Sequence, residues 1–170
     1  MALTQDRALS EKLVPHGPEF GHPVAEGFRV YRGSLVAVCA DGTIVPAGAT
    51  NTPSAPVAIV GLARQFKDNS AAGSMLNGDM VGSHPIWVKK GCYALPFDTA
   101  PTWANLNQTV YAVDDETVSL NQSAPPPKAA SASTGDNETA STPSVPAASR
   151  LPVGTLVGFE PDGTPFVLIS

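Results

Sequence analysis

From Phe28 to Ile169 the chain alternates short apolar runs with Gly, Pro, Asp and Asn. Runs of this length, punctuated this way, read as strands rather than helices. Phe28-Arg-Val-Tyr31 alternates with period two, and Gly33-Ser34 turns the chain. Leu35–Cys39 is a continuous apolar strand. Asp41-Gly42 is a hairpin dipeptide, because Gly accepts positive φ, and Thr43–Val45 returns. After a Pro-rich loop, Val57–Ala63 is another buried strand. Arg64–Ser83 is a long polar excursion. Pro85–Val88 and Gly91–Leu95 form a strand or strand pair. Val110–Val113 and Thr117–Leu120 flank Asp114-Asp115-Glu116 as a hairpin. Thr155–Phe159 and Pro165–Ile169 close the chain around a Pro-Asp-Gly turn. The pattern predicts an all-β fold, a small barrel or compact sandwich of short strands.

Two segments break the pattern. Residues 123–149 hold seven Ala, six Ser, five Pro and three Thr, and no Leu, Ile, Phe, Tyr or Trp. Such a run cannot bury enough apolar surface to offset its ordering entropy, so a flexible loop is expected. The strands after it are too few for an independent core. They must pair back onto the body, giving one β domain over 28–122 and 150–170. Residues 1–27 read as an N-terminal arm, interrupted by Pro15, Pro18 and Pro23. A short helix over Thr4–Leu13 is compatible with Ala8, Leu9 and Lys12 but marginal on its own. Leu9, Leu13, Val14, Phe20 and Val24 are more apolar than a solvated tail needs, so the arm is expected to dock.

Composition narrows the function classes. Charged residues are 15% of the chain, against roughly 25% in an average soluble domain. A surface so poor in charge suits one covered by a partner. Fifteen Gly and 17 Pro favour turns over long helices. The net charge of -5, with basic residues scattered and Lys89-Lys90 the only basic pair, leaves no footprint for nucleic acid. The first twenty residues lack the apolar core of a signal peptide, and no stretch approaches the ~18 apolar residues of a membrane span. Synthesis and retention in the cytoplasm are therefore expected. Cys39 and Cys92 fall in predicted strands. Buried thiols are expected in a reducing compartment, with a disulfide the alternative in an oxidising one.

Candidate chemistry is sparse, and no catalytic residue, metal site or cofactor is expected. His16, His22 and His84 sit in Pro- and Gly-rich surroundings without metal-ligand spacing. Asp114, Asp115 and Glu116 read as a solvated turn, since acid–base work needs environments that split the pKa values. Gly73, Gly78 and Gly82 lack the Gly-Lys-Ser/Thr ending of a phosphate loop. No Gly-x-Ser-x-Gly elbow is present. Trp87 is expected to fill the core, so that its truncation would cost about 3–5 kcal/mol. Trp103-Ala-Asn105-Leu-Asn107-Gln108 is the one stretch that pairs an aromatic with amides, as a sugar-binding platform would.

The order of segments resembles the capsid cement, or head-decoration, proteins of tailed bacteriophages. Leu35-Val-Ala-Val, Val60-Gly-Leu-Ala63, Ile86-Trp-Val-Lys-Lys-Gly-Cys-Tyr-Ala-Leu-Pro96, Val110-Tyr-Ala-Val-Asp-Asp115, Val153-Gly-Thr-Leu-Val-Gly158 and Phe166-Val-Leu-Ile169 carry the likeness. The insertion at 123–149 and the expanded Arg64–Ser83 stretch depart from it. The resemblance implies a structural virion protein that binds the capsid exterior between major capsid protein subunits and stabilises the filled head. It implies self-association, a trimer favoured over a dimer, and no enzymatic activity. The expected contacts are the arm residues Leu9, Leu13, Val14, Phe20 and Val24, so removing residues 1–24 is expected to leave a folded body that binds heads weakly. The alternative is a β-rich carbohydrate-binding or adhesion module displayed on a virion or tail.

Overall fold

A computed structural model describes residues 3–9, 20–71, 84–123 and 149–170, together with the backbone of 11–12. The described residues form β1 (Glu11–Lys12), β2 (Phe20–His22), β3 (Arg29–Val30), β4 (Leu35–Cys39), β5 (Ile44–Pro46), β6 (Pro56–Ala63), β7 (Lys67–Asp68), β8 (Ile86–Lys89), β9 (Gly91–Ala94), β10 (Thr109–Ala112), β11 (Val118–Ser119), β12 (Pro152–Phe159) and β13 (Pro165–Ile169). A 3-10 turn covers Trp103–Asn105. The all-β expectation holds, in the sandwich form.

One sheet has the order β1-β9-β13-β12-β10-β11 and the other β2-β8-β6-β4-β5, while β3 and β7 pair as a small ribbon. The chain crosses between the sheets at Lys90, where β8 ends and β9 begins. The larger core lies between the sheets. Leu35, Ala37, Ile59 and Leu62 meet Tyr93, Val110, Leu156 and Val167 there. A second cluster joins Val36, Ile44, Ala63, Ile86 and Val88 to Val24 and Val30. Alternation along β4 therefore sends Leu35, Ala37 and Cys39 into one core and Val36 into the other. A strand buried on both faces has no use for polar positions, which is why Leu35–Cys39 reads as an unbroken apolar run. Gly61 marks the closest approach within the second sheet. Its φ of 138° is left-handed, and a Cβ there would strike the Lys89 carbonyl.

Residues ahead of Phe28 contribute to both sheets. β1 pairs with β9, and β2 pairs with β8. Val24 is 1% exposed, inside the second core, and Leu9 packs against the first. The marginal helix that the sequence allows over Thr4–Leu13 does not form across the described part of that span. Its amides bond outward instead: Leu3 N–H donates to Asp115 Oδ1 at 3.1 Å, and Arg7 N–H to the Arg32 carbonyl at 3.1 Å. Docking thus satisfies the groups that a marginal helix would have satisfied internally.

The ends of the Ala/Ser/Pro segment are clamped together. Ser123 and Ser149 form an antiparallel bridge, and Arg150 N–H donates to the Gln122 carbonyl at 2.9 Å. Arg150 Nη1 also reaches the Asn121 carbonyl at 3.1 Å. A short Gly/Ser turn can span ends this close, and loop-closure cost changes only about 0.6 kcal/mol per doubling of length. Replacing residues 124–148 is predicted to leave the melting temperature within a few degrees; loss of cooperative unfolding would show that the segment is structural.

Removal of residues 1–24 has the opposite prediction. It deletes Val24 from a core, the Leu9 contact and both N-terminal strands. Burying Val24 alone is worth about 1.5–3 kcal/mol. The truncated chain is predicted to unfold at clearly lower denaturant concentration than the full chain, measured by circular dichroism. This reverses the expectation of a dispensable arm, because Val24 and Leu9 find partners in the body.

Candidate binding surfaces

The Asp114–Glu116 turn is less solvated than expected. Asp114 Oδ1 accepts from Glu116 N–H at 2.9 Å and Thr117 N–H at 2.6 Å, which closes the turn. Asp115, however, is 2% exposed. Its carboxylate accepts from Leu3 N–H and, at 3.1 Å, from the Ser34 hydroxyl, while its carbonyl accepts from Leu35 N–H at 2.8 Å. The N-terminal segment covers the turn, and nothing in the turn's own sequence signals that. Arg7 completes the latch: Nε donates to the Gly33 carbonyl at 3.3 Å, Nη2 to the Glu116 carbonyl at 3.3 Å, and Nη1 lies 3.7 Å from Glu116 Oε1.

Burial pushes the Asp115 carboxyl above its ordinary value and the neighbouring Asp114 charge acts the same way, against the hydrogen bonds from Leu3 and Ser34. Asp68, also buried, behaves differently. Burial raises it, but bonds from Ser70 and from Arg29 Nε at 2.6 Å outweigh that and hold it below the usual range. Thus Asp68 is a satisfied structural carboxylate that ties β7 to β3.

Phe20 is 63% exposed and Trp87 51%. The expectation that Trp87 fills the core is corrected: Ile86 and Val88 take the inward positions of β8, and alternation turns Trp87 outward. Gly21 pairs with Trp87 and Phe20 with Val88, so the two aromatics occupy opposite faces of one sheet edge. β2 is the outermost strand of that sheet among the described residues.

Trp103 is 65% exposed and rests against Phe159 with ring centroids 4.8 Å apart. Its amide neighbours are partly committed. Asn105 Oδ1 accepts from Thr102 N–H at 2.8 Å and Thr102 Oγ1 at 3.0 Å, which caps the 3-10 turn. Asn107, at φ 64°, and Gln108 are exposed beside it.

The expected arm contacts divide three ways. Val24 is core, Leu9 is half-buried, and Phe20 is on the surface. Leu13 and Val14 lie outside the described residues, as do His16, Gly73, Gly78 and Gly82. His22 is half-buried in β2 and His84 is exposed. Among the described residues no three His, Cys, Asp or Glu side chains group as metal ligands. No described helix is long and apolar enough to cross a membrane. Cys39 and Cys92 are buried in different sheets and are not in a disulfide, and burial pushes the Cys39 thiol up. Comparison with protein-family models, with characterised proteins and with solved structures finds no match to this chain.

The Asp115 latch makes a pH prediction. A raised native pKa means the folded state binds the extra proton first as pH falls. Stability from this group is therefore gained as pH drops through the raised value, complete below the unfolded value near 3.8, and lost again as pH rises. Asp115→Asn keeps an acceptor for Leu3 N–H and carries no charge. The stability of wild type relative to this variant is predicted to rise on acidification, measured by urea unfolding at a series of pH values. A difference independent of pH would show that the carboxyl is not perturbed.

Proposed function

We propose that this protein is a structural decoration protein of a tailed-phage head, holding the outside of the shell by inserting its β2–β8 edge between capsid subunits. One observation carries the reading: large aromatic side chains stand in water on both faces of an edge that the rest of the fold holds rigid. Phe20 and Trp87 are more than half exposed, although the strand that bears Trp87 is anchored by Ile86 and Val88 in a core. Exposed aromatics on a fixed frame favour binding, because little ordering entropy remains to be lost. Covering the exposed part of each ring contributes about 3 kcal/mol before those costs. Such a contact is modest alone and becomes durable when many copies occupy one shell. The resemblance of the strand order to cement proteins supplies the identity of the partner, the major capsid protein. Self-association at local three-fold axes, as a trimer, fits a repeating shell.

A second reading attaches to Trp103. An exposed indole with Asn107 and Gln108 beside it is the arrangement of a carbohydrate platform, and it fits an adhesion module on a virion or tail. The edge is favoured because two aromatics coincide there on a strand that is outermost among the described residues, whereas Asn105 is already spent on its own turn.

Co-sedimentation with undecorated heads separates the readings. Phe20→Ser and Trp87→Ser are predicted to weaken head binding at least tenfold each, while Trp87→Ala costs less than about 1 kcal/mol of folding stability, as for an exposed site. Trp103→Ala is predicted to leave head binding unchanged. Binding lost only with Trp103, or glycan binding without head binding, would favour the module.

A further inference from the structure

We propose that two copies of this chain pair in solution along β2, antiparallel about a twofold axis at Gly21, so that their two five-stranded sheets become one. The two main sheets have four outer strands among the described residues: β1, β11, β2 and β5. Two of these are already covered. On β5, Ile44 N–H donates to the Pro23 carbonyl at 2.8 Å, and the Ile44 carbonyl accepts from Ala25 N–H at 3.0 Å. On β11, Val118 N–H donates to the Pro96 carbonyl at 2.9 Å, and the Val118 carbonyl accepts from Asp98 N–H at 2.9 Å. β1 consists of a glutamate and a lysine, and charge on an edge discourages further pairing. β2 is Phe-Gly-His. It has neither the charge nor the proline that commonly protects an open edge.

The backbone of β2 is set for a further strand. The Trp87 carbonyl accepts from Arg64 N–H at 3.0 Å, on the β6 side of β8. A strand residue sends its N–H and C=O to the same side, and its neighbours send theirs to the other. Ile86 and Val88 therefore turn their groups toward β2, where they meet His22 and Phe20. Gly21, opposite Trp87, turns its own N–H and C=O out of the sheet. Among the described residues no hydrogen bond reaches either group, and Gly21 is exposed.

The occupant follows from self-complementarity. A residue with both groups pointing outward is one half of a hydrogen-bonded antiparallel pair. Its natural counterpart on a twofold axis is Gly21 of the second copy, with two N–H···O=C bonds exchanged. Phe20 then lies opposite His22 of the second copy, a close pair of rings on one face. On the other face, Trp87, Gly21 and their two counterparts form one row. Strands are about 4.8 Å apart, so the two Trp87 backbones stand about 14 Å from each other with only glycines between. Each indole can lean over a bare glycine toward the other, which covers both. The paired strands bring no like charges together, whereas most other contacts between two copies of net charge -5 do.

Area sets the strength. A buried aromatic covers about 150–250 Å². Phe20 and Trp87 leave more than half of their surface open, so four rings contribute about 400 Å². Backbone and flanking contacts add to this, but the total stays below the roughly 1,200 Å² of a stable interface. The dimer is therefore weak and reversible. Its regulatory meaning rests on the head-binding reading: the pair occupies the edge that would meet the capsid, and a shell with many sites outcompetes it. The dimer belongs to the free protein and the trimer to the shell.

The test is sedimentation equilibrium of the full chain from about 10 µM to about 1 mM. Wild type is expected to show a reversible monomer–dimer equilibrium. Gly21→Pro removes the outward N–H and no bond that β8 uses. It is expected to keep the wild-type melting curve and to weaken pairing about thirtyfold, the worth of two hydrogen bonds. Gly21→Ala keeps the N–H, although its Cβ would stand 3.3 Å from the Pro85 Cβ, and should lose less. Leu168→Ser, an exposed change on β13 in the other sheet, should stay within about twofold. By nuclear magnetic resonance, wild-type amide exchange at Gly21 is expected to slow as concentration rises; if Gly21→Pro does not fold, this measurement decides. The proposal is overturned if wild type stays monomeric, if it associates beyond two copies, or if Gly21→Pro pairs as tightly. It is also overturned if Leu168→Ser weakens pairing as much as Gly21→Pro, or if exchange at Gly21 is independent of concentration. No heads enter the experiment, so its failure leaves the head-binding reading standing.

Discussion

Burial of β4 on both faces is the constraint from which the rest of the structure follows. A strand with Leu35, Ala37 and Cys39 in one core and Val36 in another needs a layer on each side. The six-stranded sheet provides one layer. Val24 and Val30 help provide the other. Because β4 sits between β5 and β6, its backbone groups are paired along both edges as well. Truncating Leu35, which is fully buried, is a change that ordinarily costs about 2–5 kcal/mol.

That demand for a second covering layer explains the N-terminal segment. Val24 is drawn into the smaller core, and Leu3 and Arg7 hydrogen-bond around the Asp115 turn. The latch ties the N-terminal segment to the β10–β11 turn and to Gly33. A change at Gly33 or Asp115 would therefore loosen that segment.

Much of this was legible in the sequence. The strand runs at Leu35–Cys39, Val57–Ala63, Ile86–Leu95 and Pro165–Ile169 reappear within a few residues, because apolar periodicity and Gly/Pro punctuation are local signals. The sheets' partners were not legible, since pairing order depends on contacts distant in the chain. Trp87 was misjudged for a physical reason. Ile-Trp-Val offers three apolar residues to a period of two, and two β-branched residues outcompeted the larger ring for the inward positions. Likewise, the solvated look of Asp114-Asp115-Glu116 gave no hint that a segment more than a hundred residues away covers it.

The central claim is that a rigid double-sided core presents the β2–β8 edge for docking on a capsid shell. Hydrogen–deuterium exchange of the protein free and bound to heads tests it directly. The account predicts slow exchange in Leu35–Cys39 in both states, and new protection on heads confined to Phe20–His22 and Ile86–Lys89. Unchanged exchange at that edge, with protection appearing around Trp103 instead, would contradict it.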